Sequence, residues 1–137
     1  MVIVRLPLNG CSVLMDIDAM RKALAEFRNT ADERASKMKD SQLVVDELFR
    51  LYERFDGSER EIANDVVAEW VISHDEKIRF DALALIRHFG ISSTVQSLQI
   101  LAERLRAMRT PGAPFELKKV DGIIKELRNA SSIVPKA

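Results

Sequence analysis

Between Glu76 and Phe89 the apolar residues Ile78, Ala82, Leu85, Ile86 and Phe89 recur at helical spacing, while Phe80, Leu83 and Ala84 carry apolar character onto the flanks. A helix apolar over most of its circumference has to be enclosed, so this segment demands a body of neighbouring elements. Its ends are predicted from local chemistry. Ser73 and Glu76 have the spacing of a capping box, in which each side chain satisfies a backbone donor of the other residue. Gly90 tolerates the positive φ that stops a helix.

The rest of the chain supplies the enclosing elements. Val2, Val4, Leu6 and Leu8 alternate with Ile3, Arg5 and Pro7, and Asn9-Gly10 then leads into Cys11 to Met15, which predicts an amino-terminal β-hairpin or arm over residues 1–15. Pro7 confines its strand to an edge. Asp16 to Arg28 is an amphipathic helix with Ile17, Met20, Ala23, Leu24 and Phe27 on one face. Asn29-Thr30 interrupts it, and Thr30 with Glu33 has the spacing of a second capping box, opening a thinly anchored segment to Lys39. Val44, Leu48, Leu51, Tyr52 and Phe55 make the next stripe, ended by Asp56-Gly57. Ser58 with Glu61 predicts a third box and a helix facing inward through Ile62, Val66, Val67, Trp70 and Val71. Ser93 with Gln96 predicts a fourth, followed by Val95, Leu98, Leu101, Ala102 and Leu105. After the break at Thr110 to Pro114, the residues Phe115, Leu117, Val120, Ile123, Ile124 and Leu127 line a last helix, and residues 130–137 form a flexible tail. The expectation is a mainly α chain: a helical body over 16–129 with a small β decoration, in one domain spanning 1–137.

At 137 residues and 47% hydrophobic content, one domain can bury about two-thirds of its unfolded surface without a disulfide or metal. The single cysteine, Cys11, cannot bridge internally, and no apolar run approaches the roughly 20 residues of a membrane span, so a cytoplasmic protein is expected. Net charge is zero but uneven. Residues 1–39 carry 7 basic and 5 acidic side chains, residues 40–81 carry 5 and 12, and residues 82–137 carry 9 and 4.

The predicted helices pair as 17–39 with 41–55, 59–72 with 76–89, and 93–108 with 115–129, a recurrence of about 35 residues typical of helical-repeat arrays. The middle pair resembles a HEAT-type repeat. Trp70 to Ile86 holds a short acidic turn and then Arg79 followed by small and aliphatic residues, as that family does, and Gly90 to Leu98 looks like the link into the next repeat. Ser73 stands where the family usually has an aspartate six positions before the arginine. The resemblance implies a short HEAT-like antiparallel helix-pair array that binds macromolecules, with Arg79 and Asp75 in repeat stacking. In general appearance the chain also resembles bacterial immunity proteins that neutralise toxins in contact-dependent growth inhibition and related polymorphic-toxin systems. An alternative is a HEAT-like scaffold or an enzyme-associated module such as a bilin lyase component.

Residues with catalytic potential are sparse. His74 and His88 lie fourteen residues apart without metal-type spacing, and Cys11 has no sequence-local histidine. No phosphate loop or nucleophile elbow appears, so no enzyme activity, metal or cofactor is expected. Arg104, Arg106, Arg109, Lys118, Lys119, Lys125 and Arg128 are basic, but the one aromatic among them, Phe115, belongs to the predicted core stripe, and direct nucleic-acid binding is not expected. The acidic block is more specific. Glu61, Asp65 and Glu69 recur every four residues along one helix, where each like-charge pair costs a few tenths of a kcal/mol. Arg50, Arg54 or Arg79 would neutralise them in one reading. In the other they meet a basic protein partner, such as a nuclease toxin, with Asp46, Glu47 and Glu53 extending the surface.

Overall fold

The computed structural model describes the backbone of residues 2–5 and 12–132 and the side chains of residues 16–130. The chain is mainly helical. Six α-helices follow one another among the described residues: α1 (Ile17–Met38), α2 (Leu43–Arg54), α3 (Gly57–Val71), α4 (Glu76–Phe89), α5 (Val95–Ala107) and α6 (Ala113–Ser132). They belong to two compact units, residues 1–66 and 67–137, with the division falling inside α3. The helices are supported, whereas the hairpin expected over residues 1–15 is not. Its turn at Asn9-Gly10 and Cys11 lie outside the described residues. The hairpin therefore supports nothing below.

In the first unit α1 lies against α2. Asp16 caps α1, its carboxylate accepting from the Ala19 N–H at 2.9 Å. The helix then runs 22 residues without the interruption predicted at Asn29-Thr30. The reason is its buried stripe, Met20, Leu24, Arg28, Ala31 and Ala35, which continues at helical spacing straight through that dipeptide. Thr30 does not cap. Its hydroxyl donates back to the Glu26 carbonyl at 3.0 Å, an option open to threonine in mid-helix. Helix α2 buries Val44, Val45, Leu48, Leu51 and Tyr52, and the buried Phe55 ends it in an extended conformation.

The box predicted at Ser58 and Glu61 forms instead at Asp56 and Glu59. The Glu59 N–H donates to Asp56 Oδ1 and the Asp56 N–H to Glu59 Oε1, both at 2.8 Å. Ser58 and Glu61 stay exposed. Helix α4 is likewise capped by Asp75, which accepts from the Lys77 N–H at 2.9 Å, while Ser73 Oγ accepts from the Asp75 N–H at 3.1 Å and shapes only the turn before it. Ser93 and Gln96 are exposed, and α5 is entered through a 3₁₀ turn, Ser92–Thr94, in which the buried Thr94 hydroxyl donates to the Ile91 carbonyl at 2.7 Å. A spacing of Ser or Thr with Glu or Gln is common in a chain this polar. Which candidate caps depends on where the apolar stripe turns inward.

In the second unit α5 and α6 lie against each other and α4 meets α6. Leu83, Ile86, Leu98, Leu101 and Ile123 are among its large fully buried side chains. Gly90 stops α4 with φ 65° and donates its N–H to the Ile86 carbonyl at 2.8 Å, as expected. Helix α6 continues to Ser132, into the segment expected as a tail, and residues 133–137 lie outside the described residues.

Candidate functional site

The six acidic side chains singled out in the sequence differ in exposure and in partners. On α2, Asp46 and Glu53 stand seven residues apart on the same face, but the exposed Arg50 stands between them. Asp46 accepts from Gln42 Nε2 at 3.4 Å. Glu47 is half-buried and paired with Arg34 of α1. Beside Glu53, whose backbone carbonyl accepts from Arg60 at 3.2 Å, the Arg60 guanidinium also covers the Tyr52 ring at 5.1 Å. The α2 face therefore carries both signs of charge.

Helix α3 differs. Glu61 and Asp65 are exposed, four residues apart, and neither makes an ion pair with another described residue. Glu69 belongs to the second unit, is half-buried and already has an interaction partner. The acidic stripe thus narrows to Glu61 and Asp65.

Below that stripe the first unit holds a polar cluster. The Tyr52 hydroxyl donates to Asn64 Oδ1 at 2.8 Å. Burial pushes the phenol pKa above its ordinary 10.0, with Arg60 and the Asn64 bond opposing. Glu59 is 5% exposed, and its Oε2, like Arg60 Nε, has no hydrogen-bond partner. Position 59 is committed to capping rather than to a partner.

The second unit uses its basic residues mainly for structure. Arg79 reaches Glu116 on α6 with two nearly parallel bonds, Nε to Oε2 at 2.7 Å and Nη2 to Oε1 at 3.0 Å, and gives a third to the Ser73 carbonyl at 3.1 Å. The Glu116 bonds hold its pKa above the ordinary arginine value. Arg104 of α5 donates to the Ile72 carbonyl at 2.8 Å. Two guanidiniums therefore collect at the carbonyl end of α3, where the helix dipole favours positive charge. Arg87 pairs with Glu126 at 2.7 Å and Arg106 with Asp121 at 3.6 Å. Of the expected basic run, Arg104 and Arg106 are engaged in these contacts. His74 and His88 are exposed, His88 meeting the Phe89 ring edge-on at 4.7 Å. Among the described residues no three His, Cys, Asp or Glu side chains gather as a metal site would require.

Phe115 is a correction. Assigned to the core stripe in the sequence, it is 78% exposed, and Phe80 on α4 is 50% exposed. The buried stripe of α6, Val120, Ile123, Ile124 and Leu127, extends back to Ala113 rather than through Phe115. The spacing held the signal, because Phe115 lies five residues before Val120 and so falls well off that stripe. Lys119 completes this neighbourhood, its ammonium 4.4 Å from the Phe80 ring centroid.

No family model, curated protein or solved structure matches this chain.

Proposed function

We propose that the chain is a non-catalytic protein-binding module, a HEAT-like immunity protein of the cytoplasm that neutralises a toxin domain by docking on it with Glu61 and Asp65. The observation that carries this reading is the exposed pair on α3, with no described cation facing either carboxylate. An isolated helix loses a few tenths of a kcal/mol by placing like charges four residues apart. A basic partner offsets that cost and is drawn in faster by complementary charge. Among the helices, the run of Arg79 and the aliphatic residues after it supports the HEAT-like reading. Glu47, Glu53, Asp46 and Glu69 are secondary, since their neighbours already offset or engage them.

The test is to co-express the full chain with the basic toxin domain that this reading requires a neighbouring gene to encode. Growth should be restored by the natural chain and lost with E61K/D65K, whose far-ultraviolet circular dichroism should be unchanged. Equal rescue by the double variant rejects the acidic pair as the contact. Absence of rescue by the natural chain rejects the immunity reading.

A further inference from the structure

A second surface lies wholly in the second unit. Glu76, Phe80 and Leu83 of α4 and Phe115, Glu116 and Lys119 of α6 line a groove of about 300 Å³ that is open at Gly112, where an added Cβ would meet nothing within 4 Å. Its floor is the buried Leu83 and its walls are the exposed rings of Phe80 and Phe115. Two large aromatic side chains left in water beside one depression form the kind of apolar anchor point that protein interfaces use.

The charge of the groove decides what fits it. Lys119 is half-buried and makes no ion pair with a described carboxylate. Glu116 is near, but both of its oxygens are taken by Arg79. Burial lowers the Lys119 pKa, the charge of Arg87 lowers it further, and Glu116 only partly opposes them. The groove therefore joins an apolar bed to an ammonium lacking a counter-ion, with Glu76 exposed at its margin.

We infer that this groove binds an acidic, apolar peptide segment of a partner protein, one large apolar side chain lying over Leu83 between Phe80 and Phe115 and one carboxylate meeting Lys119. The chemistry is opposite in sign to that proposed for Glu61 and Asp65, so the groove serves a different contact and stands independently of the immunity reading.

The experiment is fluorescence anisotropy of the full chain with a labelled synthetic peptide composed of Asp, Glu, Leu and Phe. Saturable binding is expected, weakened at least about tenfold by F115A and by K119M, and by replacing the peptide's Leu and Phe with Ala. K119E should turn the preference toward a peptide carrying Lys in place of its acidic residues. Because Phe115 is exposed and Lys119 only half-buried, circular dichroism and thermal melting should show all variants folded, and E61K/D65K should bind the acidic peptide as the natural chain does. Absence of saturable binding overturns the inference, as does equal affinity for the Lys peptide or binding indifferent to F115A and K119M. A concentration-dependent dimer in sedimentation velocity that disappears in F115A would also overturn it, by giving the groove to a second copy.

Discussion

Removing the Glu116 carboxylate tests how the second unit is held together. The Arg79 side chain is 8% exposed and that of Glu116 is 17% exposed, so this is a largely dehydrated pair. Its two bonds have the fork geometry that makes arginine–carboxylate pairs strong, and the third guanidinium contact, to the Ser73 carbonyl, fixes Arg79 in place. In Glu116→Ala the guanidinium keeps only that one acceptor. Breaking a buried pair by deleting one partner costs about 3–5 kcal/mol, and the residual water access at Glu116 places the expected loss near the lower end, about 3 kcal/mol. In Arg79→Met the freed carboxylate turns toward water, but the bond to Ser73 is lost as well, for a net cost of about 2–3 kcal/mol. The double variant, with Met facing Leu in place of Arg facing Glu, should recover most of this, because apolar replacement of a buried pair is often neutral or better. Urea unfolding followed by the fluorescence of Trp70, the only tryptophan, reads all three variants against the natural chain. A loss below about 1 kcal/mol in Glu116→Ala, the range of surface ion pairs, would refute the claim that the pair is dehydrated and structural.

Three other measurements follow from local chemistry. Tyr52 is the only tyrosine, so near-ultraviolet absorbance titrates it alone, and its midpoint should lie above 10.0. The raised folded-state pKa means that this contribution to stability is complete below the unfolded value and is lost as pH rises through the folded one; Tyr52→Phe should flatten that alkaline decline, and a midpoint at or below 10.0 would contradict the burial argument. Asp56→Ala should cost about 1 kcal/mol by removing the α3 cap, whereas Ser58→Ala should stay within about 0.5 kcal/mol; the reverse order in chemical denaturation would restore the box first read at Ser58. Gly90→Ala forces an L side chain to φ 65° and should cost about 1 kcal/mol, and an unchanged urea midpoint would mean that α4 does not end there under strain.

Periodicity made most of the helical body legible. Leu98, Leu101, Ala102 and Leu105 on α5, and Val44, Leu48, Leu51 and Tyr52 on α2, are read from spacing and are buried in the structure, because apolar residues at helical intervals have few other uses. Gly90 was legible for an equally specific reason, since few residues accept its backbone conformation. What escaped was the choice among several polar residues able to do one job. Asp56 and Asp75 cap where Ser58 and Ser73 have the textual pattern, and that competition is settled by where each helix must begin for its stripe to be buried. The continuity of α1 escaped for a related reason: Arg28, a charged residue, occupies a buried stripe position, so the apolar pattern seemed to end at Phe27. At the candidate site, Glu61 and Asp65 could be placed on one face from their spacing. The partner of Glu47 could not, because Arg34 comes from another helix that the spacing within α2 does not relate to it.

The turn from Ile72 to Asp75 is short and polar, a place where a backbone would ordinarily open on its own. Here its Ile72 and Ser73 carbonyls are gripped by Arg104 from α5 and Arg79 from α4, while the N–H groups of the same two residues donate back to Glu69 and Trp70. The N–H groups of Ile72 and Ser73 thus depend on the last turn of α3, while their carbonyls tie that turn to residues 32 and 6 positions further along the chain. Amide hydrogen exchange at the two residues is expected to follow the fraying of that last turn and to quicken when Arg104 is replaced by Ala.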